Sequence, residues 1–321
     1  MKIMQWFDKH VHMEEARHHD GLTIIPLIAN AIVGPDYCSL KKGLENGLRI
    51  TEIGEEGTVP TLKAFNETDS NVLIVDGEEL AGSKQNRVLN TTVLIPAGAV
   101  LELPVSCTEQ GRWHWNSPKF MDSNVVMSPG MRGRKNENVY YNLRVRGRYE
   151  SNQSEIWRDI HELSRTYGTA SETLAMRDTF EAKRDDMKKF WEAVPCLPNQ
   201  CGMLAVIYGN VVSLEVISRP SVYADLHQKL LGSLVMDISL WEPASDPESM
   251  DGIPVFLKHA MHTIQECYPA IGMGRDVRLR GHHLIGSALQ VESDYVHITL
   301  FHQSRNYRAH RSNQIHPTRR L

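Results

Sequence analysis

Two short stretches of the chain concentrate the side chains able to do chemistry. The first, GEELAGSKQNRVLN (residues 77–90), sets Glu79, Lys84, Gln85, Asn86 and Arg87 between the apolar runs NVLIV and TTVLIPAGAVLELPVSC. Reversing the chain there would need only turn formers such as Asp76-Gly77, so these polar residues exceed what a hairpin requires. On a strand, side chains alternate faces, which sends Lys84 and Asn86 one way and Gln85 and Arg87 the other. Whichever face is buried then acquires polar groups that need partners. The second stretch, VSCTEQGRW (105–113), adds Cys107, Glu109, Arg112 and Trp113 at the end of another strand-like run, where scaffolds commonly place functional groups.

Glu79 and Glu109 would form a general acid and base pair if the fold brings them together. Cys107 would be a nucleophile if Arg87 or Arg112 favoured its thiolate and the sulfur were exposed. Each has a structural counterpart: the carboxylates would pair with Lys84, Arg87 and Arg112, and Cys107 would fill a core as a small hydrophobe. No metal site is expected. Cys196 and Cys201 enclose LPNQ without a matching second pair, and none of the 15 histidines has the helical i, i+4 pairing with a glutamate that marks a metalloprotease. A glycine-rich phosphate loop is absent, since GMGRDVRLRG lacks the spacing, and no cofactor is named by these motifs.

The elements that must position these residues follow from the pattern along the chain. From Leu22 to about Met127, short apolar runs broken by Gly, Pro, Asn and Asp suggest a β-rich sandwich or open barrel, with Pro60, Pro96 and Pro104 at strand ends or edges. Residues 153–193 switch to helical spacing and read as two helices, the second capped by Ser171 and stopped by Pro195. Beyond Cys201, two strands around Gly209-Asn210, the helices SVYADLHQKLLGSLVMDISL and PVFLKHAMHTIQECY, and three further strands indicate an α+β layer covered by helices on one face. The expected class is α+β: a β-rich domain over 1–150, a helical connector over 151–200, an α+β domain over 201–304 and a basic tail over 305–321.

The 321 residues carry 35 Lys and Arg against 39 Asp and Glu, a net charge of −4, which gives no global pull toward nucleic acid. Two basic segments, 132–148 and 305–320, stand against that balance; such runs are solvated or grip phosphates. No apolar run approaches the length that spans a bilayer, the start lacks a signal-peptide core, and five scattered cysteines suit reduced thiols, so a cytoplasmic location and no membrane partner are expected.

The motifs ITEIGEEGTVPTLKAFN, VLIVDGEELAGSKQNRVLNTTVLIPAG and LPVSCTEQGRW, with GNVVSLEVI and VHITLF later, resemble in order those of the ADP-ribosylglycohydrolase and rhodanese-phosphatase associated protein domain, over roughly residues 22–302. The resemblance puts Glu79, Lys84, Gln85, Asn86 and Arg87 in one block and Cys107, Glu109, Arg112 and Trp113 in another. Together these would furnish donors for a small anionic ligand bearing a ribose or base, with Trp113 for stacking. By association of name only, the resemblance implies ADP-ribose or nucleotide-linked metabolism. Three functions remain open: an enzyme, such as a hydrolase, acting on ADP-ribose-type or other phosphorylated nucleosides; a non-catalytic sensor using the same residues; and an assembly or nucleic-acid-binding protein acting through the basic segments. Self-association as a homo-oligomer is compatible with all three.

Overall fold

The computed structural model describes residues 1–54 and 56–303; the basic tail expected over 305–321 lies outside the described residues. The protein is α+β. A nine-stranded antiparallel sheet runs in the order Val11–Met13, Leu22–Ala29, Gln200–Ile207, Asn210–Ile217, Asp294–His302, Leu284–Val291, Arg275–Gly281 and Ile264–Pro269, with Arg17–His19 also pairing on Leu22–Ala29. A six-stranded sheet runs Phe120–Val126, Glu78–Gly82, Arg87–Leu89, Val100–Cys107, Thr61–Asn66 and Leu48–Glu52, and a three-stranded one joins Val93–Ile95, Val72–Ile74 and Cys38–Ser39. Leu48, Ile50, Leu62, Leu80, Leu103 and Val105 from the six-stranded sheet pack with Val72, Ile74, Val93 and Ile95 from the smaller one, so these two layers enclose one core. Among the described residues no helix is long and apolar enough to cross a membrane.

The sheet pairing redraws the expected division at residue 150. Leu22–Ala29 pairs antiparallel with Gln200–Ile207 over Leu22↔Ile207 to Ile28↔Gln200, so the strands of the first thirty residues belong to the same sheet as the C-terminal strands. The run LTIIPLIA is buried almost throughout because it lies inside that sheet, which local apolar patterning cannot distinguish from a strand of the smaller β unit. Helices also cover both faces, where one was expected. Trp6 and Phe7 of Ile3–His10 and Phe256 of Gly252–Met261 pack on Leu204, Leu214 and Leu300, while Leu226, Leu230 and Leu234 of Pro220–Ile238 pack with Ala205 and Ile207, which alternate with Leu204, and with Val212, which lies at the register shift between the two strands.

Local corrections have local causes. The segment expected as two helices forms three, Gln153–Tyr167, Met176–Ala182 and Arg184–Ala193; Ser171 accepts the Ala175 N–H at 3.0 Å and so closes the turn before Met176 rather than capping the helix itself. The run PVFLKHAMHTIQECY is half helix and half strand, Gly252–Met261 then Ile264–Pro269. Pro104 lies within Val100–Cys107, at the point where that strand leaves Thr61–Asn66 and takes up Arg87–Leu89, a switch at which no ladder donor is needed.

The basic segment at 132–148 is the largest departure from a solvated reading. Pro129–Arg146 is a helix whose residues 132, 135, 136, 139 and 143 form the stripe facing the core, and three of those five are polar. Arg132 grips Glu215 with two hydrogen bonds of 3.0 and 2.9 Å, and Glu215 also accepts from His297 Nε2 at 2.7 Å and Thr299 Oγ1 at 2.9 Å. Lys135 and Asn136 both donate to Asp76, and Arg278 donates to Asn136 Oδ1 at 3.0 Å and to both Asp276 oxygens. Asp76 comes from the small β unit and Glu215, Asp276 and Arg278 from the nine-stranded sheet, so the helix clamps one to the other. Removing Asp76 as Asp76→Ala leaves the buried Lys135 ammonium without its partner, and the expected loss is about 3 to 5 kcal/mol. Removing Arg49 from its exposed pair with Glu67 as Arg49→Ala is expected to cost under about 1 kcal/mol. Urea melts of both variants check the contrast, and equal losses would contradict it.

Candidate functional site

The two polar stretches meet where Arg87–Leu89 pairs with the end of Val100–Cys107, with Cys107 directly opposite Arg87. The residue-by-residue alternation then fixes who faces whom. Arg87, Gln85, Cys107 and Glu109 share one face, and Glu79, paired with Val88, points to the other. On the first face Arg87 Nη1 donates to Gln85 Oε1 at 2.8 Å and to Cys107 Sγ at 3.0 Å, and the thiol in turn donates to Gln85 Oε1 at 3.0 Å. Glu109 accepts the Asn86 backbone N–H at 3.1 Å and is held by Arg112 through Nε at 2.9 Å and Nη2 at 2.6 Å. Arg112 also reaches the Ser83 carbonyl and Asn86 Oδ1, tying the 83–86 turn to the 109–114 loop.

Backbone demands explain the glycines of both motifs. Gly82 has φ of +121°, and a side chain there would meet Ser117 Oγ at 2.5 Å. At Gly111 a Cβ would sit 3.0 Å from the Thr173 backbone, because the 171–176 segment lies against 108–111 through Gly111 N–H to Thr173 O and Met176 N–H to Thr108 O. Gln153, opening its helix, bonds both the N–H and the C=O of Cys107 at 2.8 Å and so acts as a one-residue strand partner.

Of the residues in the two stretches, Gln85 and Cys107 thus meet Arg87, and Asn86 and Glu109 meet Arg112, while Glu79 joins neither group. It is fully buried on the opposite face, where Thr108 Oγ1 donates to Oε1 at 2.5 Å. Burial, partly offset by Thr108, raises its carboxyl to about 7. Cys107 fails the condition for a nucleophile: it is 1% exposed, and burial pushes its thiol up to about 11 despite the Arg87 charge. For Glu109, burial works upward, but the hydrogen bonds from Arg112 outweigh it and hold the carboxyl below its usual range, so it stays an ionised anchor for Arg112 rather than a proton carrier.

The residue that sequence reasoning missed is Glu52. It ends a strand whose inward residues are Leu48, Ile50 and Glu52, and that parity, a carboxylate in register with two core residues, was the available signal. Its Oε1 lies 3.8 Å from Arg87 Nη2, its Oε2 has no partner, and burial raises its carboxyl. Arg87 is fully buried, and its Nε and Nη2, which share one edge of the guanidinium, make no hydrogen bond. Arg112 uses that same edge to grip Glu109. One indole stacks near this guanidinium and a second near Lys84. Trp113, 46% exposed, has Arg87 Cζ and Lys84 Nζ each 5.5 Å from a ring centre, and Lys84 Nζ lies 5.2 Å from Trp115. Lys84 also donates to the Glu56 carbonyl at 2.7 Å. Among the described residues no group of three or more His, Cys, Asp or Glu side chains is set to hold a metal ion.

Comparison with known proteins matches residues 10–301 to the ARG and Rhodanese-Phosphatase-superfamily-associated Protein domain. The chain belongs to that family. The family's extent takes in the histidine-rich start, His10 to His19, along with the Arg87 cluster and the whole nine-stranded sheet up to Phe301. No curated protein and no solved structure matches the chain.

The Glu79 carboxyl yields a pH test with a definite sign. A carboxyl raised to about 7 from 4.5 binds its proton more tightly folded than unfolded, so the parent loses stability as pH rises from about 4.5 through 7. The 2.5-unit difference corresponds to about 3 kcal/mol. Glu79→Gln keeps the shape and the acceptor for Thr108 without the charge. Its melting temperature is expected to exceed the parent's at pH 8 and to converge on it at pH 5; a difference that does not change with pH would contradict the raised carboxyl.

Proposed function

We propose that the Arg87 cluster binds a small anionic ligand of the phosphorylated-nucleoside or ADP-ribose type. The observation that carries this reading is the open edge of the buried Arg87 guanidinium. A fully buried arginine with Nε and Nη2 unbonded holds two donors in the geometry that takes two oxygens of one phosphate or carboxylate. Leaving such donors unpaired is costly, and a ligand oxygen pair would satisfy them. The remaining groups suit the rest of such a ligand. Glu52 Oε2 is a free acceptor for a sugar hydroxyl, the outer face of Trp113 is available to a base, and Lys84 adds a second positive charge beneath both indoles. Because Arg87 is closed off from solvent, entry requires the loop that carries Trp113 to part from it, which fits a binding module whose loop reports occupancy.

A second reading, a hydrolase of such ligands, rests on Glu52. A carboxyl raised by burial and placed beside a phosphate-binding edge is equipped to donate a proton to a leaving oxygen. In that reading Glu52 takes the role that sequence patterning gave to Glu79 and Glu109, and Cys107 has none. The family name, which carries ADP-ribosylglycohydrolase in its expanded form, favours the ligand class in both readings by association. A cytoplasmic site of action accords with the five free cysteines, three of which the fold leaves at least partly exposed.

Thermal-shift screening of the full chain against ADP-ribose, nucleoside mono- and diphosphates and inorganic phosphate tests the proposal, since a ligand at 100 times its Kd stabilises by about 2.7 kcal/mol. Arg87→Lys keeps the charge and loses the two-donor edge, so it is expected to remain folded and to lose most of the ligand-induced shift. A variant that shifts as far as the parent, or a parent that responds to none of these anions, would overturn the reading. Turnover of the ligand by the parent but not by Glu52→Gln would favour the hydrolase.

A further inference from the structure

A cavity of about 220 Å³ shares no wall with the Arg87 cluster. Five elements line it: the short helix Leu40–Asn46, the strand Phe120–Val126 and the helices Met176–Ala182, Arg184–Ala193 and Pro220–Ile238. Sequence spacing turns two of those helices toward it. Asp225, Gln228 and Lys229 stand at i, i+3 and i+4, and Arg184, Met187 and Trp191 at i, i+3 and i+7, so each set occupies one helix face. The strand contributes through a bulge. Asp122 pairs with Leu80 and Val126 with Glu78, so the chain takes four steps where its partner takes two, and Asn124 sits at φ of +59°, a conformation that asparagine adopts more readily than most residues. The bulged Ser123, Asn124 and Val125 all line the cavity.

Several of these side chains have hydrogen-bonding capacity left over. Lys229 is 7% exposed, and its ammonium donates to Glu78 Oε1 at 2.7 Å and to Asp122 Oδ2 at 2.5 Å. An ammonium carries three donors, so a third N–H is left for an acceptor in the cavity. Burial works against the charge, but Glu78 and Asp122 outweigh it and hold the Lys229 ammonium above its usual range. Asp225 is also half used, since Ser39 Oγ at 2.7 Å and Lys42 Nζ at 2.9 Å both meet Oδ2 and leave Oδ1. Lys41 has no ion pair or hydrogen bond among the described residues. Glu181 and Arg184 lie 3.4 Å apart and satisfy each other. Phe180, Met187 and Trp191 supply an apolar wall, the Trp191 ring N–H being spent on the Gln228 carbonyl at 2.9 Å.

The unspent groups are thus two cationic donors, one carboxylate oxygen and an apolar surface, around a space of about seven water molecules. A phosphate would satisfy the donors but would lie beside Asp225 and the two acids held by Lys229. A zwitterion uses both signs of charge. We propose that this cavity binds a free α-amino acid with an apolar side chain, its carboxylate on Lys41 and the third Lys229 N–H, its ammonium on Asp225 Oδ1 and its side chain against Phe180, Met187 and Trp191. The small volume holds one such molecule rather than a peptide.

Isothermal titration calorimetry of the full chain with L-leucine, L-methionine and L-phenylalanine tests this. One site per chain is expected, with glycine roughly 10-fold or more weaker because it leaves the apolar wall uncovered. Isocaproate, which is leucine without its ammonium, is expected to bind roughly 10- to 100-fold more weakly than leucine. Asp225→Asn keeps an acceptor for Ser39 and removes the charge that meets the ammonium, so a loss of roughly 10- to 100-fold is expected there too. Lys41→Gln, at an exposed position, is expected to weaken leucine by roughly 2- to 5-fold. None of the three amino acids binding more tightly than about 1 mM would overturn the proposal. Isocaproate bound as tightly as leucine, or an Asp225→Asn variant that melts and binds like the parent, would do the same. Arg87→Lys is expected to bind leucine unchanged; a loss there would move leucine into the Arg87 cluster and overturn the separate site.

Discussion

Everything else in the fold hangs on the charges that the Pro129–Arg146 helix carries into the interior. Arg132 spans from Glu215 on the nine-stranded sheet to Asp76 at the edge of the small β unit, and Lys135 and Asn136 close on the same Asp76. Around them Thr92 Oγ1 lies 2.7 Å from His297 Nδ1, and Thr91 donates to Asp276 at 2.6 Å. Such a network adds little net stability, because the cost of drying the charges offsets their attraction. Its effect is on alternatives: a helix slipped by one turn, or a β unit docked askew, would strand at least one charge in a dry interior. An apolar interface would tolerate such errors far better.

The Arg87 cluster is a buried charge system of the opposite kind. In the helix network Arg132, for all that its Nε lacks a hydrogen bond, has both terminal nitrogens on one carboxylate. Around Arg112 the pairing with Glu109 is likewise complete, and its work is to hold two loops together. Arg87 alone of these three leaves a whole edge unmatched, with the nearest carboxylate 3.8 Å off and itself half-paired. Closed and open networks thus sit side by side, and the closed one supplies the rigidity against which the open one keeps its geometry.

Much of this was legible in the amino-acid order. Alternation along SKQNR put Gln85 and Arg87 on one face, and excess polarity over turn requirements marked both stretches; that Cys107 shares that face is set by its register opposite Arg87. Glu79 was placed in the wrong company because adjacent letters on a strand belong to opposite faces, and only the register, Glu79 on Val88, shows which. Cys107 looked reactive from its cationic neighbours; how deep it lies is a matter of what packs above it. The helix at 129–146 was opaque for a different reason. Its inward stripe is written in Arg, Lys and Asn, so patterning that takes polar for outward inverts it, and the acids that complement it come from positions 76 and 215.

The pairing of Leu22–Ala29 with Gln200–Ile207 has a consequence for how the chain comes into being. Leu22 finds Ile207 only after 185 further residues have left the ribosome, a wait of roughly 10 to 40 s at ordinary elongation rates of about 5 to 20 residues per second. Trp6 waits longer still, since the acceptor of its ring N–H is Asp294. Through that interval LTIIPLIANAIV has only the short strands Val11–Met13 and Arg17–His19 along one edge and nothing on the other, just when the small β unit behind it has all its strands. A newborn chain therefore carries a ready-made interior with a sticky leader, and needs either shielding of that leader or fast completion of the last strands to avoid association with its neighbours.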